Sequence, residues 1–519
     1  MLLQFSNQHL EVIYHFNLGN PTLNAVESTT IAPPSHVAKG TLALTIIQTF
    51  STLGFAVLYS TLVLYATKAL GFTDAQATAI MGVFGAFNYG LHLFGGVLGG
   101  RLLSNRALFL VGMILQIFGC YAIATYATTG LYWGLAMFLT GSGLNVTCIN
   151  MMLTQRFSPD DPKRESAFIW NYSGMNLGFF IGFTVAGYFQ TTGNYHQLFL
   201  YASLGNLIAI IAILINWRYL KDLTTPLLKA TRSQYITRLA LGFAIIIALV
   251  PLIKFLLTLT SLASQIMLAI AAAVVLLLIV FTWIHKHKNE QRKMKAYLIL
   301  SVGSLVFWSL YSLAPMGLQL FIDRNVNLHV GSFDIAPQWI QNINTIVIVF
   351  GGPLMSHLFT RLRNKGFNID IPLQFTVSLI FIGLGFLLLP AGIHFSGANG
   401  MVNINWIIGS YVLQSIGELL ISPIGYAMVG KLAPRHYQGL MMGSWMMVTG
   451  VASIIAAYFS ELMPQDGAAM TTNAGYSSIF SELGIASIAV GIILALILPT
   501  LRGLIKGKKD PQHAETAMA

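Results

Sequence analysis

TLALTIIQTFSTLGFAVLYSTLVLYA, residues 41–66, contains no charged side chain. An α-helix rises 1.5 Å per residue, so about 20 such residues cross roughly 30 Å of hydrocarbon. This run is long enough to span a bilayer as a helix. Working outward from it, thirteen more runs of similar character lie near 76–100, 107–127, 130–153, 167–188, 196–216, 237–257, 262–284, 296–322, 338–360, 371–392, 404–430, 437–462 and 477–500. The whole chain is 519 residues, 55% hydrophobic and only 9% charged. A soluble protein of this length has no use for so much apolar surface, and the expected fold is an all-α polytopic membrane protein of fourteen spans.

The net charge of +11 does not mark a nucleic-acid binder, because Lys and Arg sit in short loops between apolar runs rather than along one face. Arg101 and Arg106, Arg156 with Lys163 and Arg164, Arg218 through Arg238, Lys286 through Lys295, Arg361 through Lys365, and Lys431 with Arg435 alternate with loops poor in positive charge. Positive loops stay cytoplasmic, so both termini are expected there, and the basic tail after Arg502 agrees with an even number of spans. The longest basic loops flank the pair 237–284, which reads as a hairpin inserted between two six-helix halves. The expected organisation is a mobile extension over 1–40, a first bundle over 41–216, basic linkers with the hairpin over 217–295, a second bundle over 296–501 and a cytoplasmic tail over 502–519. Cys120 and Cys148 fall inside apolar runs and imply neither a disulfide framework nor a metal site. No cofactor is called for.

An ionisable side chain near the bilayer centre costs about 2.5–3.5 kcal/mol on insertion scales, so one that persists there needs a partner or a water-filled cavity. Glu418, in GELLISPIGYAMVGKLAP, is the acid so placed, and Pro423 five residues on can interrupt the helix ladder. Its carboxylate is either a cavity group for a substrate ammonium or a paired structural acid. His92, in NYGLHLFGG, is of the residue type whose unperturbed pKa lies near neutral and so is a candidate proton carrier, against a plain helix-to-helix contact. Lys254, in VPLIKFLLTL of the hairpin, is suited to snorkelling or lipid headgroups. Asn176 and Asn344 bring amides into apolar spans, as helix contacts or as ligand contacts. Tyr89, Tyr172, Trp308 and Trp445 either pack the bundle or wall a cavity. GGVLGGRLLSNR follows no strand and lacks a Gly-Lys-Ser/Thr ending, so it reads as a tight turn rather than a phosphate loop. Neither His-Glu-x-x-His nor a nucleophilic triad occurs at membrane depth, which disfavours an enzyme.

FIWNYSGMNLGFFIG (168–182) and GELLISPIGYAMVGKLAPRHYQGLMMGSW (417–445), with FWSLYSLAPMGLQLFIDRNV (307–326) and WIQNIN (339–344), resemble the fifth, tenth with eleventh, seventh and eighth helices of the proton-coupled oligopeptide transporters. The likeness runs from about residue 45 to 500 and includes the extra hairpin of bacterial members. It implies the major facilitator fold, alternating access around a cavity between the halves, and a bacterial inner membrane. It also implies a peptide amino terminus held at Glu418, Asn176 and Asn344, with side-chain pockets involving Tyr89, Trp308 and Trp445.

The departures concern charge. Gln48, Ser51 and Thr52 stand where the family's first-helix Glu-x-x-Glu-Arg motif belongs, Tyr59 where many members carry a second Arg, Val146 where the fourth helix carries Lys, and Ser312 where the seventh carries an acid. Gly100 replaces an acid at the end of the second helix. The missing cations normally hold the peptide carboxylate and exchange partners as protons load. Each lost charge-assisted bond is worth roughly 1.5–3 kcal/mol, whereas losing both partners of a buried pair together can be nearly neutral for folding. The expected function is therefore a secondary transporter of di- or tripeptides or related amine-bearing solutes, with proton coupling altered or absent and Glu418 or His92 as the proton carriers left. Its alternatives are a proton-independent facilitator of an amine lacking a carboxylate, and a non-transporting ligand sensor.

Overall fold

The computed structural model of the chain describes residues 35–158 and 161–506. Seventeen α-helices account for most of them. They are α1 (Ser35–Lys68), α2 (Asp74–Leu98), α3 (Asn105–Thr125), α4 (Ala127–Thr154), α5 (Pro162–Thr192), α6 (Tyr195–Ile215), α7 (Arg232–Thr258), α8 (Thr260–Ile284) and α9 (Lys288–Tyr311). After these come α10 (Gly317–Asn325), α11 (Pro337–Ile340), α12 (Asn342–Asn364), α13 (Ile371–His394), α14 (Ile404–Leu432), α15 (Gln438–Leu462), α16 (Ala469–Leu496) and α17 (Leu498–Lys506). Thirteen of the spans are long and apolar enough to cross a membrane, and the chain is an integral membrane protein. The expected fifth span is present as α5, but Asn171, Ser173 and Asn176 dilute its apolar run and it is not among the thirteen. Most of the expected extension over 1–40 lies outside the described residues, as does the tail from 507, while residues 35–40 already belong to α1.

Two expected runs are broken. Residues 296–322 form α9 and α10, separated by a turn that contains Pro315, whose ring and missing N–H disfavour a continuous helix. Residues 338–360 begin in α11, and Gln341 separates it from α12. Two short strand pairs occur: Val326–Asn327, after α10, runs parallel to Val402–Asn403, just before α14, and His329–Val330 is antiparallel to Phe333–Asp334.

The chain divides into two compact units. Of the described residues, the N-terminal unit holds those up to Thr61 and those from Phe87 to Leu259, and the C-terminal unit holds Leu62 to Ala86 and those from Thr260 on. The break between them at Leu259 and Thr260 falls between α7 and α8, so each unit takes one helix of the hairpin.

Glycines close the α3–α4 pair of the N-terminal unit. A Cβ on Gly112 would lie 2.8 Å from the Gly141 carbonyl, and one on Gly119 would lie 2.6 Å from that of Gly134. The two contacts are seven residues apart on each helix, which is two turns, so one face of each helix is kept bare for close approach. Around this seam Leu108, Phe109, Met113, Leu144, Ile149 and Phe168 form a buried core. At the cytoplasm-side turn expected after α2, Gly100 has φ +70°, and a Cβ there would meet Thr225 Cγ2 at 2.6 Å. An acid at this position would be strained twice over, which gives a local reason for the glycine.

In the C-terminal unit a Cβ on Gly383 would lie 2.8 Å from the Gly484 carbonyl, setting α13 against α16. Tyr297 donates to the Met441 carbonyl at 2.8 Å and joins α9 to α15. Arg502 Nε bonds Asp370 Oδ2 at 2.6 Å, while Asp370 accepts from Leu373 N–H as the N-cap of α13, so the acid fixes both α17 and the start of α13.

Candidate functional site: a charge-free pocket and a buried carboxylate

In α1 the residues Gln48, Ser51, Thr52 and Phe55 follow the i, i+3, i+4, i+7 pattern, and so do Ser142, Asn145, Val146 and Ile149 in α4. Each set occupies one helix face. The fold of the N-terminal unit brings the two faces together with Asn88, Tyr89 and His92 of α2, Gln116 of α3, and Met175 and Phe179 of α5, around a cavity of about 70 Å³. A water needs roughly 10–15 Å³ measured this way, so the cavity holds a few waters or one small polar group. Tyr89 and His92, both singled out in the sequence, meet here, with ring centroids 6.1 Å apart.

Much of this polarity is satisfied internally. Gln48 Nε2 donates to Thr52 Oγ1 at 2.9 Å, and the Ser51 and Thr52 hydroxyls donate back to the Gln48 carbonyl. Ser142 donates to Asn88 Oδ1 at 2.8 Å. Four atoms in the lining are buried with no hydrogen-bond partner: His92 Nε2, Gln116 Oε1, and Asn145 Oδ1 and Nδ2. None of the lining residues is Lys, Arg, Asp or Glu. The positions that depart from the family pattern, Gln48, Ser51, Thr52 and Val146, thus share one cavity, and together they make it neutral.

Asn176 does not line this pocket. It is 1% exposed, and its Nδ2 donates to the Tyr172 carbonyl one turn back at 3.0 Å. Gly178 beside it lets α5 lie against α1, since a Cβ there would be 2.3 Å from the Thr49 carbonyl. Lys254 of α7 lies 5.8 Å from the Trp133 ring centroid, a cation–π placement within the N-terminal unit.

Glu418 and Asn344 come together in the C-terminal unit. Glu418, on α14, is 1% exposed, and its Oε2 accepts from Asn344 Nδ2 at 2.8 Å. The same Asn344 amide reaches Ser415 Oγ at 3.0 Å, and Tyr311 of α9 also hydrogen-bonds the carboxyl group. No described Lys or Arg forms an ion pair with it. The carboxyl is therefore held by neutral donors inside its unit rather than laid open on the described pocket.

Trp308, one turn before Ser312, stacks edge-on against Tyr311 with centroids 5.3 Å apart and so stands one ring away from Glu418. Trp445 packs onto Gly425, where a Cβ would meet its Cζ2 at 1.9 Å. Both tryptophans are 1% exposed with an unpaired Nε1. Sequence reading missed Tyr311, Ser415, Gln116 and Asn145. The last two sit in apolar runs, and the helical spacing of 142, 145, 146 and 149 was the signal available for Asn145.

The other buried charge of the C-terminal unit is paired. Asp74, in the first turn of α2 and 5% exposed, accepts two bonds from Arg324 of α10, one of them 2.8 Å from Nη2 to Oδ1. That hydrogen bonding holds the Arg324 guanidinium above its ordinary pKa, in the charged form. Lys68 and Asp323 pair beside it at 2.6 Å.

Known proteins are similar to this chain over about nine-tenths of its length. Dipeptide and tripeptide permease A of Salmonella typhimurium is 28% identical over 478 residues, covering 91% of this chain and 94% of the relative. The permease of the same name from Escherichia coli is 26% identical over 480 residues, with 91% and 94% covered. Among solved structures, a peptide transporter POT in complex with sulfate superposes with a TM-score of 0.77 at 25% identity, covering 90% of this chain and 96% of that one. A POT family transporter in complex with 5-aminolevulinic acid gives 0.77 at 23%, covering 89% and 97%, and supports the same major facilitator fold. A sequence profile described as POT family matches residues 103–474, and the chain belongs to that family.

Proposed function

We propose that the protein is a secondary transporter of small peptides or closely related amine-bearing solutes, working by alternating access in a bacterial inner membrane with both termini cytoplasmic. The observation that carries this reading is the Glu418 cluster. A carboxylate costs several kcal/mol in the interior unless it is compensated, yet Asn344 and Tyr311 are arranged to keep it as an acceptor without supplying a counter-charge, and Ser415 Oγ accepts from the same Asn344 amide. An incoming ammonium offers three donors and the missing positive charge. Asn176, Asn344, Tyr89, Trp308 and Trp445 are proposed as the further substrate contacts, on their match to the family's motif positions. The similar permeases are named for dipeptides and tripeptides, which supports a solute of that size.

Proton coupling, where it operates, falls to Glu418 or His92. The neutral pocket of the N-terminal unit favours a second reading, in which the protein is a facilitator that needs no proton. Lipid headgroups are proposed partners of Lys254 and of the basic linkers, over 217–238 and 286–295, that flank the hairpin.

Solute counterflow in proteoliposomes tests the function without presuming a driving force. Vesicles preloaded with unlabelled di- and tripeptides and their amides are expected to accumulate labelled solute transiently above empty liposomes, in the presence of an uncoupler as well as without it. No counterflow for any of these solutes overturns the transporter reading.

A further inference from the structure

We infer that Asp222 is a positioning residue for transport: from the linker between α6 and α7, its carboxylate straps together the neighbouring ends of α2, α3 and α4, three of the five helices that line the N-terminal pocket. This rests on the proposed transport function and identifies a part of the protein that sets its rate.

Helix α3 begins without help from its own residues. Ser104, its N-cap, makes no side-chain bond to the backbone, and no acid lies in the first turn. The help comes from 117 residues further along the chain, where Asp222 Oδ2 accepts from the Asn105 N–H at 3.1 Å and Oδ1 accepts from Asn105 Nδ2 at 2.9 Å. A carboxylate on the free N–H groups of a helix start meets the positive end of the helix dipole. Asn105 is 0% exposed and Asp222 7%, so solvent does little to weaken the contact. At position 100, where the sequence lacks an acid, a Cβ would lie 3.3 Å from that same Asn105 Nδ2. Gly100 has no side chain to reach the amide, and the linker brings a carboxylate to it instead.

The linker is fastened at further points. The Gly100 carbonyl accepts from the Leu227 N–H at 2.9 Å, which ties the linker to the end of α2. Gln155, the C-cap of α4, uses Oε1 to accept from the Leu223 and Thr224 N–H groups at 2.7 and 3.3 Å. Arg156 Nη2 donates to the Tyr219 carbonyl at 2.6 Å, and Arg106 donates to the Trp217 carbonyl while lying 4.4 Å from that ring's centroid. Burial lowers the Arg156 pKa to about 10 and the charge of Asp222 opposes the fall, so the guanidinium beyond α4 stays charged and is attracted to the same carboxylate. Asp222 is too far away to touch a solute in the pocket, since its partner Asn105 is eleven residues from Gln116, about 16 Å along α3. Its effect is to make the three helices move as one body, so loosening the strap slows the cycle without changing what the solute contacts.

The test measures counterflow by the full chain in proteoliposomes, with labelled L-alanyl-L-alanine and L-alanyl-L-alaninamide as probes and empty liposomes as control. Asp222→Asn keeps the size and removes the charge. It is expected to lower the maximal rate by about tenfold, the worth of one charge-assisted bond, with half-saturation within about twofold of wild type. Asn105→Asp alone sets two carboxylates against each other and is expected to be at least as slow. Combining Asn105→Asp with Asp222→Asn exchanges the charge within the pair and is expected to recover at least about threefold over either variant alone. Gln155→Ala, at the strap's second fastening, is expected to slow turnover in the same sense, and it decides the matter if melting temperatures show the Asp222 variants unfolded. A wild-type rate in Asp222→Asn, or in Gln155→Ala where the Asp222 variants do not fold, overturns the inference and leaves transport standing. So does an exchanged pair that recovers nothing, or a shift in half-saturation with the maximal rate intact. Absence of counterflow by the wild-type protein for every peptide and amide tried overturns the proposed function, and the inference with it.

Discussion

The polar pocket of the N-terminal unit and the Glu418 cluster of the C-terminal unit are both built from residues on membrane-spanning helices, yet only the second contains a buried formal charge. In the pocket, Gln48, Thr52, Ser142 and Asn88 bond one another, and the polarity left over belongs to neutral amides and an imidazole. In the C-terminal unit, Glu418 keeps its carboxyl among neutral donors, while Asp74 is answered by Arg324. The contrast teaches that buried polar groups need no formal charge where they bond one another, whereas a buried charge needs dedicated donors or a counter-ion. Removing both members of a pair leaves no orphan, whereas removing one strands the other in a low-dielectric interior.

That contrast can be broken most forcefully at the paired acid. Arg324→Ala leaves Asp74 buried without a counter-charge and is expected to destabilise the fold by about 3–5 kcal/mol, read as a large fall in melting temperature in detergent. Asp74→Ala combined with Arg324→Ala is expected to be less damaging than Arg324→Ala alone. If the single and double variants melt alike, the charge at Asp74 is not the cause. The neutral pocket offers the mild counterpart. Ser142→Ala deletes one donor to Asn88 and is expected to cost only about 1 kcal/mol by the same melting assay. A loss as large as that of Arg324→Ala would mean that the pocket's polarity is not self-satisfied.

Much of this was legible in the sequence because bilayer thickness and apolar run length are tied by geometry alone. The runs at 237–257 and 262–284 return as α7 and α8, and Arg232–Thr258 even begins with a capping box between Thr231 and Gln234. The broken run at 296–322 was misread as one span because apolarity there continues through Pro315, and only the ring's geometry ends the helix. At the site, Glu418 and Asn344 stood out as costly residues and do meet. The pocket was half visible. His92 and Tyr89 drew attention as single residues, but a neutral cavity is a property of five helix faces at once, and no individual Ser, Thr or Gln announces it. Gln116 and Asn145 became meaningful only when packing left their polar atoms buried and unpartnered.

The central claim is that Glu418 meets the ammonium of the solute. Calorimetric titration tests it most directly, using the tighter-binding of L-alanyl-L-alanine and L-alanyl-L-alaninamide, its N-acetyl derivative, and both again on Glu418→Gln. Acetylation and the substitution are each expected to weaken binding by roughly 1.5–3 kcal/mol, about 10- to 150-fold, and to do no more together than either does alone, because both remove the same contact. Unchanged affinity for the acetylated ligand, or losses that simply add, would contradict it.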